Sequence, residues 1–536
     1  MRGNFNVAID RFLRSKYLIL IPILLSAFTH MWNPIGFPTF EQDEGIYLLR
    51  TLFVMNGLGP QLPSSVYFYT YDHPYFGQIF LAGALSLINY PASLNPTSDI
   101  QSIEMLYLVP RMLMGILAVF DTFLVYKIAD IRYNRKVGFI SAALFAVMPV
   151  GWMLRGIFLD SILLPFLLLS ILFAVYYSKR AESENNNNGS NKDMILIILS
   201  GIFLGLAIFT KVPVFTMIPL VMFLILRKSN TSNKKRLLRI GVWLIPVVLI
   251  PMMWPIYAIS VGQFSEWIDG VLYQAVRESI RNLRTSILLI FEFDPIMVVL
   301  GGAGIIYSVV KRDNFMLLWT LPYLVFLYGI GWVTHFHWII LFPALCIVSG
   351  ALIDNSIKSI KFHKIRTVVL YGIVSIIIIS GFWTTTALIS SNLNSTYINL
   401  YSYVTKELES GSEKNNKEID DGITLIGSHR IRALVWIPMY VFNDDFVFRD
   451  TDLPNDNFTR PLETKHFILV ADQNLFNRLT DRDYVQIYER ERRIASLYYN
   501  SSHTIATFID KDSEKYDFMM MGENHGFGRF IEVRNN

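Results

Sequence analysis

Residues 194–226 read MILIILSGIFLGLAIFTKVPVFTMIPLVMFLIL. A helix at about 1.5 Å per residue crosses roughly 30 Å of hydrocarbon in about 20 residues. The stretch is too long for one untilted span and short for two. Lys211 and Pro213 stand in its middle, and Pro213 has no N–H to give to a helical ladder. Read as two short spans, 194–212 and 213–227, it keeps every later basic loop on one side of a membrane. Read as one, it inverts them all.

Working outward, nine further apolar blocks fall at 17–32, 105–127, 137–154, 157–178, 240–260, 286–310, 314–331, 336–353 and 367–390. The chain is 53% hydrophobic and 17% charged, where a soluble globular chain carries about 25% charged residues. Alternate connectors are basic. They hold Arg132, Arg135 and Lys136; Lys179 and Arg180; the 227–239 cluster; Lys311 and Arg312; and Lys358, Lys361, Lys364 and Arg366. The positive-inside rule puts these, and the N-terminal Arg11, Arg14 and Lys16, in the cytoplasm. The expected architecture is a mainly α, polytopic membrane helix bundle of about eleven spans, residues 1–390. Met31, Trp32, Asn33 and Pro34 follow the first apolar run with no small-residue cleavage site, so the first span reads as retained. An odd number of spans places residues 391–536 outside.

The outer face then receives a first loop, 33–104, a second loop, 262–284, and the tail. Phe76 to Ile88 is too short to span and reads as a helix on the outer surface. The tail turns polar abruptly. Strand-like runs at Ile423–Ile426, His466–Val470 and Tyr484–Tyr488, with helical runs between, predict a small extracytoplasmic α/β domain. Ser183 to Lys192, with its asparagine run, reads as a cytoplasmic linker. Cys346 is the only cysteine, which excludes an intrachain disulfide and a zinc site built on several cysteines.

Charged groups at membrane depth are costly unless paired or solvated, and so mark function. Asp43 and Glu44 follow the first span. Adjacent residues on a helix point about 100° apart, so one carboxylate can face a cavity while the other meets a structural partner. The helix dipole alone also favours acids there. In Tyr71-Asp72-His73-Pro74-Tyr75, Asp72 suits a cap and Pro74 a first turn, while His73 could donate to an anion. Arg111, Arg155, Asp160 and Lys211 sit near outer span ends; Arg155 and Asp160 can bridge, and Lys211 can snorkel or meet a lipid phosphate. Arg277, Arg281 and Arg284 share one helical face, suited to phosphate or to anionic headgroups. His335 and His337 form a His-x-His pair, a weak metal signal beside phosphate contact or an interfacial aromatic belt.

The order of these signals resembles the lipid-phosphate-sugar-dependent glycosyltransferases of the GT-C class, most of all the protein O-mannosyltransferase and lipid A aminoarabinose transferase group. The resemblance runs over roughly residues 15 to 350. It rests on Asp43-Glu44 after the first span, His73-Pro74 opening a surface helix, and Pro110-Arg111 starting the second span. Arg155 and Asp160 follow in a short outer turn, then Gly201, Gly205 and Lys211, then Trp254-Pro255, then His337 before Pro343. His73 is followed by Pro-Tyr where the mannosyltransferases often have Pro-Pro, and His337 stands where Lys or Arg is usual.

The resemblance implies a multi-pass enzyme of the cell membrane. It would take a sugar, a mannose-like hexose or an amino-pentose, from a polyprenyl-phosphate carrier to a hydroxyl of a protein, lipid or glycan by inverting single displacement. Asp43, with Glu44 as second choice, would take the acceptor proton; partial burial brings a carboxylate's basicity toward working pH. Lys211, Arg277, Arg281, Arg284, His73 and His337 would hold the departing phosphate. Asp72, Arg111, Arg155 and Asp160 would position substrate. No cofactor is required, a divalent metal stays open, and no nucleic acid is expected. The competing class is a transporter or flippase of lipid-linked sugars, whose charges would lie at the midplane in broken helices with a repeat between halves; no repeat is visible. Asn394, Asn457 and Asn500 each open an Asn-x-Ser/Thr sequon on the outer side.

Overall fold

The computed structural model describes residues 16–62, 71–183, 191–227, 233–276, 282–330, 332–358, 363–414, 423–428, 431, 435–442, 446–451, 466–500, 503–509 and 529–534. Arg277, Arg281, Asn457 and most of the 183–192 linker lie outside them. The chain divides into two compact units. One holds Met1–Trp32, Gln61–Ile79 and Leu113–Leu388; the other holds Asn33–Pro60, Phe80–Met112 and Ile389–Asn536.

The helices run in chain order as α1 (Leu20–Met31), α2 (Gln42–Met55), α3 (Phe76–Ser86), α4 (Ile100–Arg132), α5 (Arg135–Val147), α6 (Leu159–Ser183), α7 (Asn191–Thr210) and α8 (Ile218–Leu226). They continue as α9 (Asn233–Ser260), α10 (Phe264–Val276), α11 (Leu283–Phe293), α12 (Pro295–Lys311), α13 (Asn314–Gly329), α14 (Phe342–Lys358), α15 (His363–Ile389) and α16 (Ser395–Lys414). Among the described residues, five helices are long and apolar enough to cross a membrane, or six if one bent pair counts as a span. The remaining apolar blocks form shorter or broken helices, so length and composition do not reach the expected eleven.

The breaks have local causes. Lys211 is extended (φ −154°, ψ 121°) between α7 and a 3₁₀ turn over Val212–Met217, where Pro213 cannot continue the ladder. Residues 137–154, expected as one straight block, bend by 71° between α5 and the 3₁₀ turn Pro149–Arg155. Met148 is extended there, as residues before proline prefer. The block 286–310 is two helices. Asp294 ends α11 and caps α12, its Oδ1 accepting the Met297 N–H at 2.9 Å, ahead of Pro295.

Within the first unit, α7 lies between α6 and α9. Ser170 and Ser200 exchange hydroxyl-to-carbonyl bonds of 2.8 and 2.9 Å across the α6–α7 contact. Gly201 and Gly205 let α9 approach. A Cβ at either would stand 2.5 Å from the Trp243 or Pro246 carbonyl oxygen, the close packing that small residues permit between membrane helices.

The second unit contains α2, the start of α4, α16 and a five-stranded sheet. Its strands are β1 (Ile423–Gly427), β2 (Phe446–Asp450), β3 (His466–Ala471), β4 (His503–Ile509) and β5 (Arg529–Arg534), in the order β2-β1-β3-β5-β4. β2, β1 and β3 are parallel; β5 is antiparallel to β3 and β4. Ile426, Phe467, Leu469 and Ala471 pack one face against α17 (Gln473–Thr480) and α19 (Glu489–Ile494) through Leu475, Leu479 and Ile494. The runs at 423–426 and 466–470 are strands as read. Tyr484–Tyr488 is not. All of it but Tyr488 falls in α18 (Arg482–Ile487), because Asp481 caps a helix there, accepting the Asp483 and Tyr484 N–H groups at 2.9 and 3.2 Å.

Candidate functional site

In the second unit the site grows from the loop before α2. Prolines 34 and 38 supply carbonyls but no N–H donors, so these carbonyls need partners from elsewhere. Arg111 answers three of the loop's carbonyls. Its Nη1 donates to the Pro34 and Pro38 oxygens, both at 2.8 Å, and its Nη2 to the Thr39 oxygen at 3.3 Å. The same guanidinium grips Glu44 with both arms, Nε to Oε1 at 3.0 Å and Nη2 to Oε2 at 2.6 Å. Both side chains are fully buried. Oε2 also accepts the Glu41 N–H at 3.1 Å, closing a capping box at the start of α2. Both oxygens of Glu44 are therefore engaged in structure. Asp43, one residue earlier and about 100° round the helix, is half-buried.

Asn394 completes this clamp, a role that its sequon does not signal. It is fully buried. Its Oδ1 accepts the Phe40 N–H at 2.9 Å, and its Nδ2 donates to the Ile35 and Pro38 oxygens at 2.6 and 2.7 Å. With the amide so used, Asn394 cannot accept a glycan in the folded chain. The sequon reading is corrected at this position; Asn500 is exposed.

In the first unit the cations gather differently from the sequence expectation. The expected Arg155–Asp160 bridge is replaced by Lys211 Nζ to Asp160 Oδ2 at 2.5 Å, both buried. Arg155 instead donates to the Trp32 carbonyl. Of the two expected alternatives for Lys211, snorkelling is replaced by the buried ion pair with Asp160. Its ammonium sits between a carboxylate and the Phe336 ring, 4.5 Å from the centroid, while Asp160 Oδ1 is buried without a hydrogen bond. His337 Nδ1 accepts the Thr334 N–H at 3.0 Å and meets the Thr334 hydroxyl at 2.9 Å, which leaves Nε2 for a proton. Lys211, His73 and His335 all lie within electrostatic reach of His337. His335 packs on Trp152 with ring centroids 5.4 Å apart.

His73 is placed by a local turn. Asp72 Oδ1 accepts the His73 N–H at 3.0 Å, and α3 begins at Phe76. Tyr71, beside it, donates to Gln263 Oε1 at 2.8 Å. Burial, with Tyr257 and Glu266 adding, pushes its phenol up to about 12. Arg284 is exposed and lines an apolar groove of about 480 Å³ with Leu283, Ile287, Leu288, Leu327 and Tyr328. Among the described residues, no group of three or more His, Cys, Asp and Glu side chains is arranged to hold a metal ion.

Against known proteins, the family model for dolichyl-phosphate-mannose-protein mannosyltransferase matches residues 64–264. That window holds His73, Arg111, Arg155, Asp160 and Lys211, and begins after Asp43. No curated protein matches the sequence. Several solved structures share the fold. The Archaeoglobus fulgidus oligosaccharyltransferase tethered to an acceptor peptide is 12% identical, with 92% of this chain and 73% of that one covered and a TM-score of 0.56. The archaeal oligosaccharyltransferase AglB from Archaeoglobus fulgidus with an inhibitory peptide and a dolichol-phosphate is 13% identical, with 92% of this chain and 74% of that one covered and a TM-score of 0.52. ArnT from Cupriavidus metallidurans bound to undecaprenyl phosphate is 11% identical, with 97% of each chain covered and a TM-score of 0.56. The chain thus has the fold of GT-C glycosyltransferases. Within that class it is similar to the O-mannosyltransferase and aminoarabinose transferase group.

Proposed function

We propose that this chain transfers a sugar from a polyprenyl-phosphate carrier to an acceptor hydroxyl at the outer face of the cell membrane, with its N-terminus cytoplasmic. The reaction is a single displacement that inverts the anomeric carbon. The observation that carries the reading is the cluster around Lys211. The Lys211 ammonium is held by the Asp160 carboxylate in a buried contact, and His337, with His73 and His335 in its electrostatic reach, belongs to the same cluster, so a phosphate arriving there would meet donors already in place. A phosphate leaving the sugar gains negative charge, and preorganised cations stabilise it most where water is excluded. The apolar groove beside Arg284 suits an isoprenoid tail. Arg277 and Arg281, outside the described residues, belong to the same proposed phosphate set.

Asp43 is assigned as the base and Glu44 is not, because both oxygens of Glu44 are taken by Arg111 and the Glu41 N–H. Arg111 and Asp72 become positioning residues, and Asp160 orients Lys211. The relatives named above bind undecaprenyl phosphate, dolichol-phosphate or an acceptor peptide, which supports a lipid-phosphate donor and admits a protein acceptor here.

Purified Asp43→Asn should fold like the parent and transfer nothing from labelled polyprenyl-phosphate sugars. Parent-like transfer by that variant would remove Asp43 from the mechanism. A second reading has one observation in its favour. Helices break at Lys211 and at Asp294, as transporter helices do at their sites. A lipid-linked sugar that crosses liposomes holding the protein, with no label reaching any acceptor, would select the flippase.

A further inference from the structure

We propose that the tail sheet carries an oxyanion-binding site at the carboxyl ends of its parallel strands, made by Arg449, Thr451 and Ser428, for a ligand that presents a phosphate or carboxylate group. The topology selects the place. β1 continues to β2 on one side of it, whereas the chain after β3 continues to strands on the other side, so the order reverses between β1 and β3, beside the β1–β2 end that carries these residues. Ligands of open α/β sheets bind outside the carboxyl ends of the strands at such a reversal of strand order.

The residues there lack partners. Gly427 is in register with Asp450 and with Val470, so Ser428 and Thr451 stand side by side just past the ends of β1 and β2, next to Ala471, the last residue of β3. The Thr451 N–H bonds the Gly427 oxygen at 2.9 Å and holds the two ends together. Ser428 is 2% exposed and Thr451 0%. Neither hydroxyl has a hydrogen-bond partner, and Arg449 Nη1 is also buried without one. Side chains alternate along a strand, so Arg449 and Thr451 share a face. Ile426 is the register partner of both Arg449 and Leu469, which puts them on the face packed by Tyr498. Tyr498 lies within electrostatic reach of Arg449.

Unbonded buried polar groups occur elsewhere among the described residues, but here three that can donate fall on one face of two neighbouring strand ends, which is the arrangement an accepting ligand would use. The guanidinium can only donate, and both hydroxyls can donate; the ligand must therefore accept. The nearby carboxylates do not oppose it. Asp450 falls on the other face by the same alternation, and Asp472 Oδ1 is occupied by the Leu475 N–H at 2.8 Å. Gly427 lets the chain turn at the site, since a Cβ there would stand 3.0 Å from the Ile431 side chain. The site is independent of the transfer reading.

The test is calorimetric titration of the full-length protein in detergent with inorganic phosphate and, separately, acetate, against chloride at equal ionic strength. The parent should show one more saturable site than Arg449→Met/Thr451→Val, or bind its ligand about tenfold tighter, as loss of a charge-assisted hydrogen bond implies. Phosphate without acetate binding assigns a phosphoryl ligand; the reverse assigns a carboxylate. Thr451→Val alone keeps the shape and removes an unbonded hydroxyl, so it should melt no lower than the parent while weakening binding. Equal stoichiometry and affinity in parent and variants, or binding of neither anion, overturns the site. The readout is binding, so it stands even if no sugar is transferred.

Discussion

Replacing Asn394 by alanine should loosen the loop that delivers Asp43. The amide makes three buried hydrogen bonds, to the Phe40 N–H and the Ile35 and Pro38 carbonyls. Pro38 keeps a donor in Arg111 Nη1 at 2.8 Å. The Phe40 N–H and the Ile35 oxygen would each lose the bond that Asn394 provides. A buried polar group left unsatisfied costs about 1–3 kcal/mol, so the pair implies a loss of roughly 2–6 kcal/mol, less whatever a water recovers. Asn394→Asp separates hydrogen bonding from shape. It keeps the acceptor for Phe40 but turns a carboxylate oxygen toward two carbonyls, and should be at least as damaging as alanine. Thr396→Val destroys the same sequon and leaves Asn394 intact. Its hydroxyl is buried and unbonded, so that variant should be neutral or more stable. The assay is thermal unfolding in detergent, paired with limited proteolysis across 33–41. Unfolding temperatures of Asn394→Ala and Asn394→Asp equal to the parent, or a glycan attached at Asn394 in the folded protein, would refute the clamp.

Three further perturbations follow from the two clusters. Glu44→Gln breaks a fully buried pair and strands the Arg111 charge, so it should cost about 3–5 kcal/mol in a denaturant titration, where Asp43→Asn costs little. Lys211→Met leaves Asp160 charged and unpaired and should fold poorly, whereas Lys211→Met/Asp160→Leu should recover expression and unfolding temperature yet retain no donor in a lipid-binding assay. The Tyr71 phenol is raised from about 10 in an unfolded chain to about 12. Its contribution is complete below the lower value and is lost as pH rises through the upper one, so parent stability should fall more steeply than that of Tyr71→Phe between those limits in melts across alkaline pH.

Hydropathy made the helical blocks legible, because the alternation of apolar runs and basic connectors is a property of the sequence itself. The break at Lys211 was also legible, since Pro213 enforces it locally. The bend after Val147 was less so, though Pro149 and Gly151 stood in the chain. Pairing was not legible. Asp160 chose Lys211, 51 positions away, over Arg155, five away, because helix packing and not sequence spacing decides which charges meet. Asn394 read as a sequon for the same reason. Its partners are 354 to 359 positions earlier, and only the folded second unit brings them to it. Tyr484–Tyr488 read as a strand on composition, and a single capping aspartate outweighed that weak preference.

The split between Asp43 and Glu44 follows from the physics of burying charge beside a helix start. Two free carboxylates in succession would repel, and the dipole at a helix N-terminus compensates only in part. Arg111 removes the conflict by neutralising Glu44 in a dry contact, 2.6 Å from nitrogen to oxygen, and by spending its remaining donors on the loop carbonyls. The pair costs desolvation, yet it fixes the register of α2 against the loop, and with it the position of the residue just before Glu44. A proton acceptor needs that fixity, since a catalytic group must lie within hydrogen-bond reach of the proton it removes. Exchanging the two acids as Asp43→Glu/Glu44→Asp keeps total charge and composition. Shortening the buried arm by one methylene withdraws it from Arg111 and lengthening the other moves the base by about 1.5 Å. Transfer should therefore fall by about a hundredfold or more while donor binding holds, and parent-like turnover in that exchange would show that neither acid is held for chemistry.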